Sequence, residues 1–160
     1  MARGNTILVQ AGPQGRFVEG FIATAEKPGT VMQMDPTVPV KSGRHTWKVY
    51  TPGTDGARPF GPLIVLLEDT LQGRTTADAY VAGNRCFGYV PQAGEEINVL
   101  LADVAGTADS HALGEQLMIK NASGKAILAT GTPGCVPFTL LEAVVAPAAD
   151  TLAWTVYSGY

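Results

Sequence analysis

Apolar and polar residues follow each other in short runs broken by glycine, and one phrase recurs three times between Tyr80 and Leu128. It is read at Ala82-Gly83-Asn84-Arg85-Cys86, at Ala93-Gly94-Glu95-Glu96-Ile97 and at Leu113-Gly114-Glu115-Gln116-Leu117. In each an apolar residue and a glycine precede two polar positions and an apolar run. Glycine reaches a positive φ without steric cost, and the branched or aromatic residues that follow suit a pleated, half-buried strand. Each phrase therefore predicts a turn that launches a strand. Ile97, Val99 and Leu101 alternate with Asn98, Leu100 and Ala102, and Leu117 and Ile119 with Met118 and Lys120, so each strand has one face to bury. Asn121-Ala122-Ser123-Gly124-Lys125 then closes a hairpin onto Ala126-Ile127-Leu128.

The flanks carry the same grammar. Phe17 to Ala23 and Val31 to Met34 read as strands joined through Lys27-Pro28-Gly29-Thr30, where Pro-Gly suits the two centre positions of a type II turn. Residues 35–61 form an irregular, proline-punctuated excursion with one strand, His45 to Tyr50, and surface excursions commonly carry contacts. Pro62 to Leu67 is an unbroken apolar run, which predicts a strand buried on both faces. Phe138 to Val145 is a strand or a short helix, and Leu152 to Tyr157 a last strand. In that strand Leu152, Trp154 and Val156 share a face, which puts Trp154 in the core or at a subunit contact. Ile7-Leu8-Val9, isolated between glycine-bearing stretches, is either a first strand or part of an extended arm. No stretch holds a helical period, so the fold is expected to be all-β. Residues 1–16 are assigned to an N-terminal arm and 17–160 to a single barrel domain containing the 35–61 excursion.

Composition agrees. Glycine (19) and proline (11) together exceed the usual share of roughly 12%, while 46% of residues remain hydrophobic, a combination of many turns with a real core. At 160 residues the chain folds without needing a metal or a disulfide, and Cys86 and Cys135, lacking any ligand spacing, read as reduced and buried. No leader peptide and no membrane span is expected, which points to a protein made and used in a cytoplasm or in particles assembled there. The net charge of −3 argues against nucleic acid as a partner. Arg3 and Arg16 are the charged residues of positions 1–18, and the acidic excess begins at Glu19.

Candidate chemistry is thin. Asp109-Ser110-His111 is contiguous, and successive side chains point apart, so it is no catalytic relay and His111 reads as a loop histidine; His45 reads as a surface residue. Glu68-Asp69 and Glu95-Glu96 are raw material for a metal or an acid–base pair, but at strand ends they read as structural carboxylates. Gly12-Pro13-Gln14-Gly15-Arg16 lacks the Lys-Ser/Thr ending of a phosphate loop. No catalytic residue, cofactor or metal is expected.

The ordered set of phrases resembles the capsid decoration, or cement, proteins of tailed bacteriophages. The resemblance rests on Gly20-Phe21-Ile22-Ala23 with Lys27-Pro28-Gly29-Thr30-Val31, on Leu67-Glu68-Asp69 and on Gly73-Arg74-Thr75. It continues through Asp78-Ala79-Tyr80-Val81-Ala82-Gly83-Asn84, Pro91-Gln92-Ala93-Gly94-Glu95-Glu96 and Leu113-Gly114-Glu115-Gln116-Leu117, and it spans about residues 20–145. It implies a compact Gly/Pro-rich β-barrel, β-tulip or β-clip-like, a homotrimer, the major capsid protein as partner and the outside of the virion as location, with an N-terminal arm that fastens to coat subunits and no catalytic residues. An arm of Thr6, Ile7, Leu8, Val9 and Gln10 would then add to the edge of a coat-protein sheet. Trp47, Tyr50, Trp154 and Tyr157 are the candidate oligomer contacts. Two other classes compete: a cellular β-barrel module holding a small ligand or sugar among Trp47, Tyr50 and Phe60, and a hydrolase using Asp109 or Glu95 with His111.

Overall fold

The computed structural model describes residues 6–10, 16–59, 61–102, 110–130, 135–145 and 150–159. Among these are eleven strands: β1 (Leu8–Gln10), β2 (Arg16–Ile22), β3 (Val31–Met34), β4 (Thr46–Val49), β5 (Leu63–Leu66), β6 (Arg85–Val90), β7 (Glu96–Leu100), β8 (Gln116–Ile119), β9 (Ala126–Leu128), β10 (Phe138–Leu140) and β11 (Leu152–Tyr157). One 3₁₀ turn, Thr70–Gln72, interrupts them. The all-β expectation holds.

The recurring phrase is one turn used three times. Asn84 N donates to Val81 O (3.1 Å), Glu95 N to Gln92 O (3.0 Å) and Glu115 N to Ala112 O (3.3 Å), each closing a four-residue turn with glycine third. Gly83, Gly94 and Gly114 have φ of 82°, 91° and 86°. A Cβ at any of them would meet nothing within 4 Å, so backbone conformation and not space demands glycine. The three turns deliver the chain into β6, β7 and β8.

The strands do not make one barrel. β2, β4, β3, β5 and β6 close in that order into a five-stranded barrel, and β1, β7, β11, β10, β8 and β9 form a second sheet. Alternate residues fill the barrel: Ile22, Met32, Trp47, Val49, Ile64, Leu66 and Cys86 pack together with Tyr80. So narrow a barrel has no room for a side chain at every inward position. A Cβ on Gly20 would lie 2.3 Å from Trp47 Nε1, and one on Gly88 would lie 2.5 Å from Ile64 Cδ1. The opposite face of the same wall, Val31, Leu63, Val65, Leu67 and Tyr89, is buried against Ile7, Ile97, Val99, Leu117, Phe138 and Leu140 of the second sheet. This explains the unbroken apolar run of β5, buried at all four positions because it serves two cores.

The edge of β7 joins the two parts. Three alternate N–H groups along it find carbonyls from three separate segments: Asn98 N donates to Ile7 O (2.7 Å), Leu100 N to Gly29 O (3.0 Å) and Ala102 N to Ala126 O (2.9 Å). The last belongs to a parallel bridge, Leu101 with Ala126, which curls the far strand β9 back toward β7. An edge that would template aggregation is thus used up inside the chain.

One expectation is corrected and one narrowed. Residues 6–10 are not a free arm: β1 pairs antiparallel with β7 (Leu8 opposite Ile97), and Ile7 is fully buried. Of the two places open to Trp154, the core is excluded: the Leu152/Trp154/Val156 face of β11 is the half-buried one, with Leu152 packed against the rim of the core. Ala153, Thr155 and Tyr157 enter the core, because the buried Thr155 hydroxyl is satisfied by Ile97 O at 2.7 Å and Tyr157 packs edge-on to Phe138 at 5.5 Å. Cys86 and Cys135 are free and buried, as read from the sequence. Burial pushes their thiols up to about 12 and about 11, so both stay protonated and inert near neutral pH. No helix among the described residues is long and apolar enough to cross a membrane.

Candidate functional site

The turn read at Lys27-Pro28-Gly29-Thr30 forms as expected, with Thr30 N donating to Lys27 O (3.2 Å) and Gly29 at φ 88°. It is also the joint of the molecule. Gly29 donates to Leu66 O of the barrel at 2.8 Å and accepts from Leu100 N of the second sheet. The hairpin after β8 docks beside it, Gly124 O accepting from Val31 N at 2.7 Å. Each docked turn sends a lysine to one carboxylate: Lys27 Nζ donates to Asp150 Oδ2 at 2.9 Å and Lys125 Nζ to Asp150 Oδ1. A cavity of about 220 Å³ lies here, bounded by these three residues, Glu26 and Thr30, with Leu100 and Ala79 as its apolar wall.

The electrostatics of this cavity follow from its geometry. Hydrogen bonds from Lys125 and then Lys27 hold the Asp150 carboxyl below its ordinary range. Burial raises that of Glu26, against the opposing hydrogen bond from Thr24. A depressed pKa means that the Asp150 contribution is present above the unfolded-state value, near ~3.9, and is lost as pH falls through the folded one. The groups are partly exposed (43% for the Lys27 side chain, 29% for Asp150), so the effect is small. Asp150→Asn, which tolerates the positive φ of 64° at this position, is expected to cost roughly 0.2–1 kcal/mol near pH 7. The deficit should shrink as pH is lowered from 7 to about 3. Urea midpoints at the two pH values check this, and a deficit undiminished in acid would contradict it.

Two other surfaces face outward. Phe17 and Leu71 are 69% and 86% exposed and flank a groove of about 180 Å³ floored by Leu67 and Phe87. On the proline-rich excursion, Lys41 and Arg44 exchange two backbone hydrogen bonds (3.0 and 2.9 Å) across Ser42 and Gly43, both at positive φ. This tight hairpin displays Val38 and Val40. Its base is tied to the barrel by Glu19, which takes both Arg44 (2.9 Å) and Arg85.

The residues singled out in sequence fall elsewhere. Trp47 lies inside the barrel, Tyr50 in the core between the two sheets with its hydroxyl donating to Ala57 O, and Tyr157 beneath β10, so none of the three is offered to a neighbouring subunit. Trp154 is half-buried, its indole N–H on Glu96 Oε2 at 3.0 Å. Trp47 and Tyr50 belong to different cores and do not make an aromatic pocket; Phe60 lies outside the described residues. So does Asp109. His111 lies outside the named strands but is buried there: it is 5% exposed, exchanges backbone bonds with Val144, and has Nδ1 3.3 Å from Glu115 Oε2. The four acids of the adjacent pairs each accept from an N–H: Glu68 from Ile7 N, Asp69 from Gln72 N, Glu95 from Gln92 N and Glu96 from Trp154 Nε1. Among the described residues no cluster of His, Cys, Asp or Glu is arranged to hold a metal ion. Lys27, Lys125 and Asp150 escaped the sequence reading. Both turns are legible in it, but nothing local signals that they meet at residue 150.

No family model and no curated protein matches the chain. Among solved structures the fold is similar to that of the head fiber gp8.5 N base of bacteriophage phi29, with a TM-score of 0.53 over 91% of this chain and 95% of that one, at 10% sequence identity.

Proposed function

We propose that this chain is a structural protein of a bacteriophage head, seated on the outer face of the shell, where as a homotrimer it ties neighbouring major capsid protein subunits together. The observation that supports this most is the nearly end-to-end likeness of its barrel and curled sheet to the base of a phage head fiber. The resemblance of the sequence to decoration proteins points to the same surface. Attachment runs through the folded body and not through residues 6–10, whose backbone and Ile7 side chain are committed to the sheet. The groove at Phe17 and Leu71 and the Val38/Val40 hairpin are apolar surfaces available to the coat and to sibling subunits. Covering one such side chain contributes about 1.5–3 kcal/mol, and association alone costs an estimated ~4–15 kcal/mol. A single chain therefore holds weakly, and three chains engaged at once raise avidity by roughly 10²–10⁴.

Light scattering on the purified protein and cosedimentation with empty shells of the coat protein test the reading. A trimer that cosediments is expected, and Leu71→Asp, at an 86% exposed position, should weaken binding about tenfold or more while leaving the melting temperature unchanged. A monomer that stays in the supernatant overturns the reading.

A further inference from the structure

Strand β2 is paired unequally on its two sides. Toward β6 it pairs over residues 16–21, but toward β4 only at Phe21 and Ile22. Residues 16–19 face no strand on the β4 side among the described residues. One bond fixes which way their backbone points: Phe21 N donates to His45 O at 3.0 Å, on the β4 side, whereas Ile22 N donates to Asn84 O on the other. Alternation along a strand then turns the N–H and C=O of Glu19 and Phe17 toward the β4 side as well. Neither finds a backbone partner there among the described residues. Phe17, at the open end, is largely exposed, and Glu19 is partly so. An edge of this kind is a template for a further strand.

Charge selects what is added. The chain as a whole carries −3, yet this edge is basic. Arg44 (2.9 Å) and Arg85 both reach Glu19 and outnumber it, Lys41 Nζ lies 5.3 Å from the centre of the Phe21 ring, and Arg16 is exposed at the start of the strand. Asp35, whose N–H donates to Thr46 O of β4, is already held by Lys48 at 3.5 Å. Four cations around one carboxylate complement an acidic partner. A nucleic acid would meet the cations but has no regular series of N–H and C=O groups with which to extend the sheet, so the backbone edge selects a polypeptide.

We propose that residues 16–19 are a docking edge to which an extended, acidic segment of another protein adds as a strand. Resting on the reading above, that segment belongs to the coat protein. The test needs no shell, so the two fail separately: absence of cosedimentation overturns attachment to a head, and absence of binding to an acidic strand overturns the docking edge.

The test is amide exchange and chemical-shift titration of the full chain with an end-capped octapeptide of four Val-Glu repeats, and with one of four Val-Lys repeats as comparator. In the free chain the amides of Phe17 and Glu19 should exchange at least about tenfold faster than those of Val18 and Gly20, which point toward β6. The acidic peptide is expected to shift and protect Phe17 and Glu19 with a dissociation constant of about 0.1–1 mM that rises with added sodium chloride. Phe17→Ala and Phe17→Pro remove the same ring, but only proline removes the outward N–H and blocks the edge, so it should bind about tenfold more weakly than the alanine variant. Lys41→Glu, at an exposed position, should also weaken binding about tenfold. If Phe17→Pro fails to fold, the exchange pattern and Lys41→Glu decide. The proposal is overturned if Phe17 and Glu19 are already protected in the free chain, which would assign the edge to this chain or a second copy of it, if the acidic peptide does not bind, or if the basic peptide binds as tightly.

Discussion

Replacing Ile7 by alanine is expected to lower the stability of the whole molecule by roughly 2–5 kcal/mol, and deleting the chain through Gln10 to leave no cooperatively folded body. Ile7 is fully buried in the core shared by the barrel and the second sheet. Its truncation opens a hole in a region where neighbouring side chains are already interlocked. The deletion adds backbone losses to that. Asn98 N, paired with Ile7 O at 2.7 Å, and Asn98 Nδ2, paired with Thr6 O at 2.8 Å, would both be orphaned, and the Glu68 carboxylate would lose the Ile7 N–H that it accepts at 3.2 Å. Asn98 is itself fully buried, so no water replaces the missing carbonyls at little cost. Against a total stability of about 5–15 kcal/mol for a domain, the combined loss is decisive. Urea unfolding followed by circular dichroism measures it, with Val145→Ser at a 78% exposed position as a control expected within about 0.5 kcal/mol of the parent. A deletion that unfolds at the parental midpoint would mean that β1 is an appendage after all.

The strands were legible wherever one face or both had to be apolar, and the turns wherever backbone conformation required glycine. The three phrases at Gly83, Gly94 and Gly114, the Pro28-Gly29 turn and the doubly buried β5 all follow from such local constraints. Other features depend on partners distant in sequence and leave no local trace. The face of β11 is an example: Leu152, Trp154 and Val156 are the larger apolar set, yet Ala153, Thr155 and Tyr157 are the buried one. The neighbouring strand β7 offers Thr155 a carbonyl, and Phe138 offers Tyr157 a ring. The second sheet escaped for a related reason, since a barrel wall buried from outside and one buried from inside give similar alternation in sequence. The Ser42-Gly43 hairpin was hidden in an excursion whose prolines obscured a two-residue turn. The convergence of Lys27 and Lys125 on Asp150 is set by docking of two turns about a hundred positions apart in the chain, and no window of sequence contains both.

Gly124→Ala should be the most damaging of the glycine substitutions in the turns, and comparison with Gly114→Ala separates its two causes. Both positions have positive φ, 64° and 86°. At Gly114 a Cβ would meet nothing within 4 Å, so only the left-handed backbone resists it, at about 1–2 kcal/mol. At Gly124 the same strain applies, and the added carbon would lie 2.3 Å from Val31 O and 2.7 Å from Thr30 Cγ2. Val31 O cannot swing aside as a flexible side chain does, because it belongs to β3 and accepts from Tyr50 N while Val31 N is held by Gly124 O. Relief therefore requires the hairpin to lift away from the barrel, breaking the 2.7 Å bond from Val31 and drawing Lys125 off Asp150. Overpacking of this kind costs typically ~1–3 kcal/mol beyond the strain, which brings the expected loss to roughly 2–5 kcal/mol. Thermal or urea denaturation of the two variants side by side measures the difference. If they fall by equal amounts, the hairpin rests on the barrel too loosely for the added carbon to matter, and the close contact between the two parts at this joint is wrong.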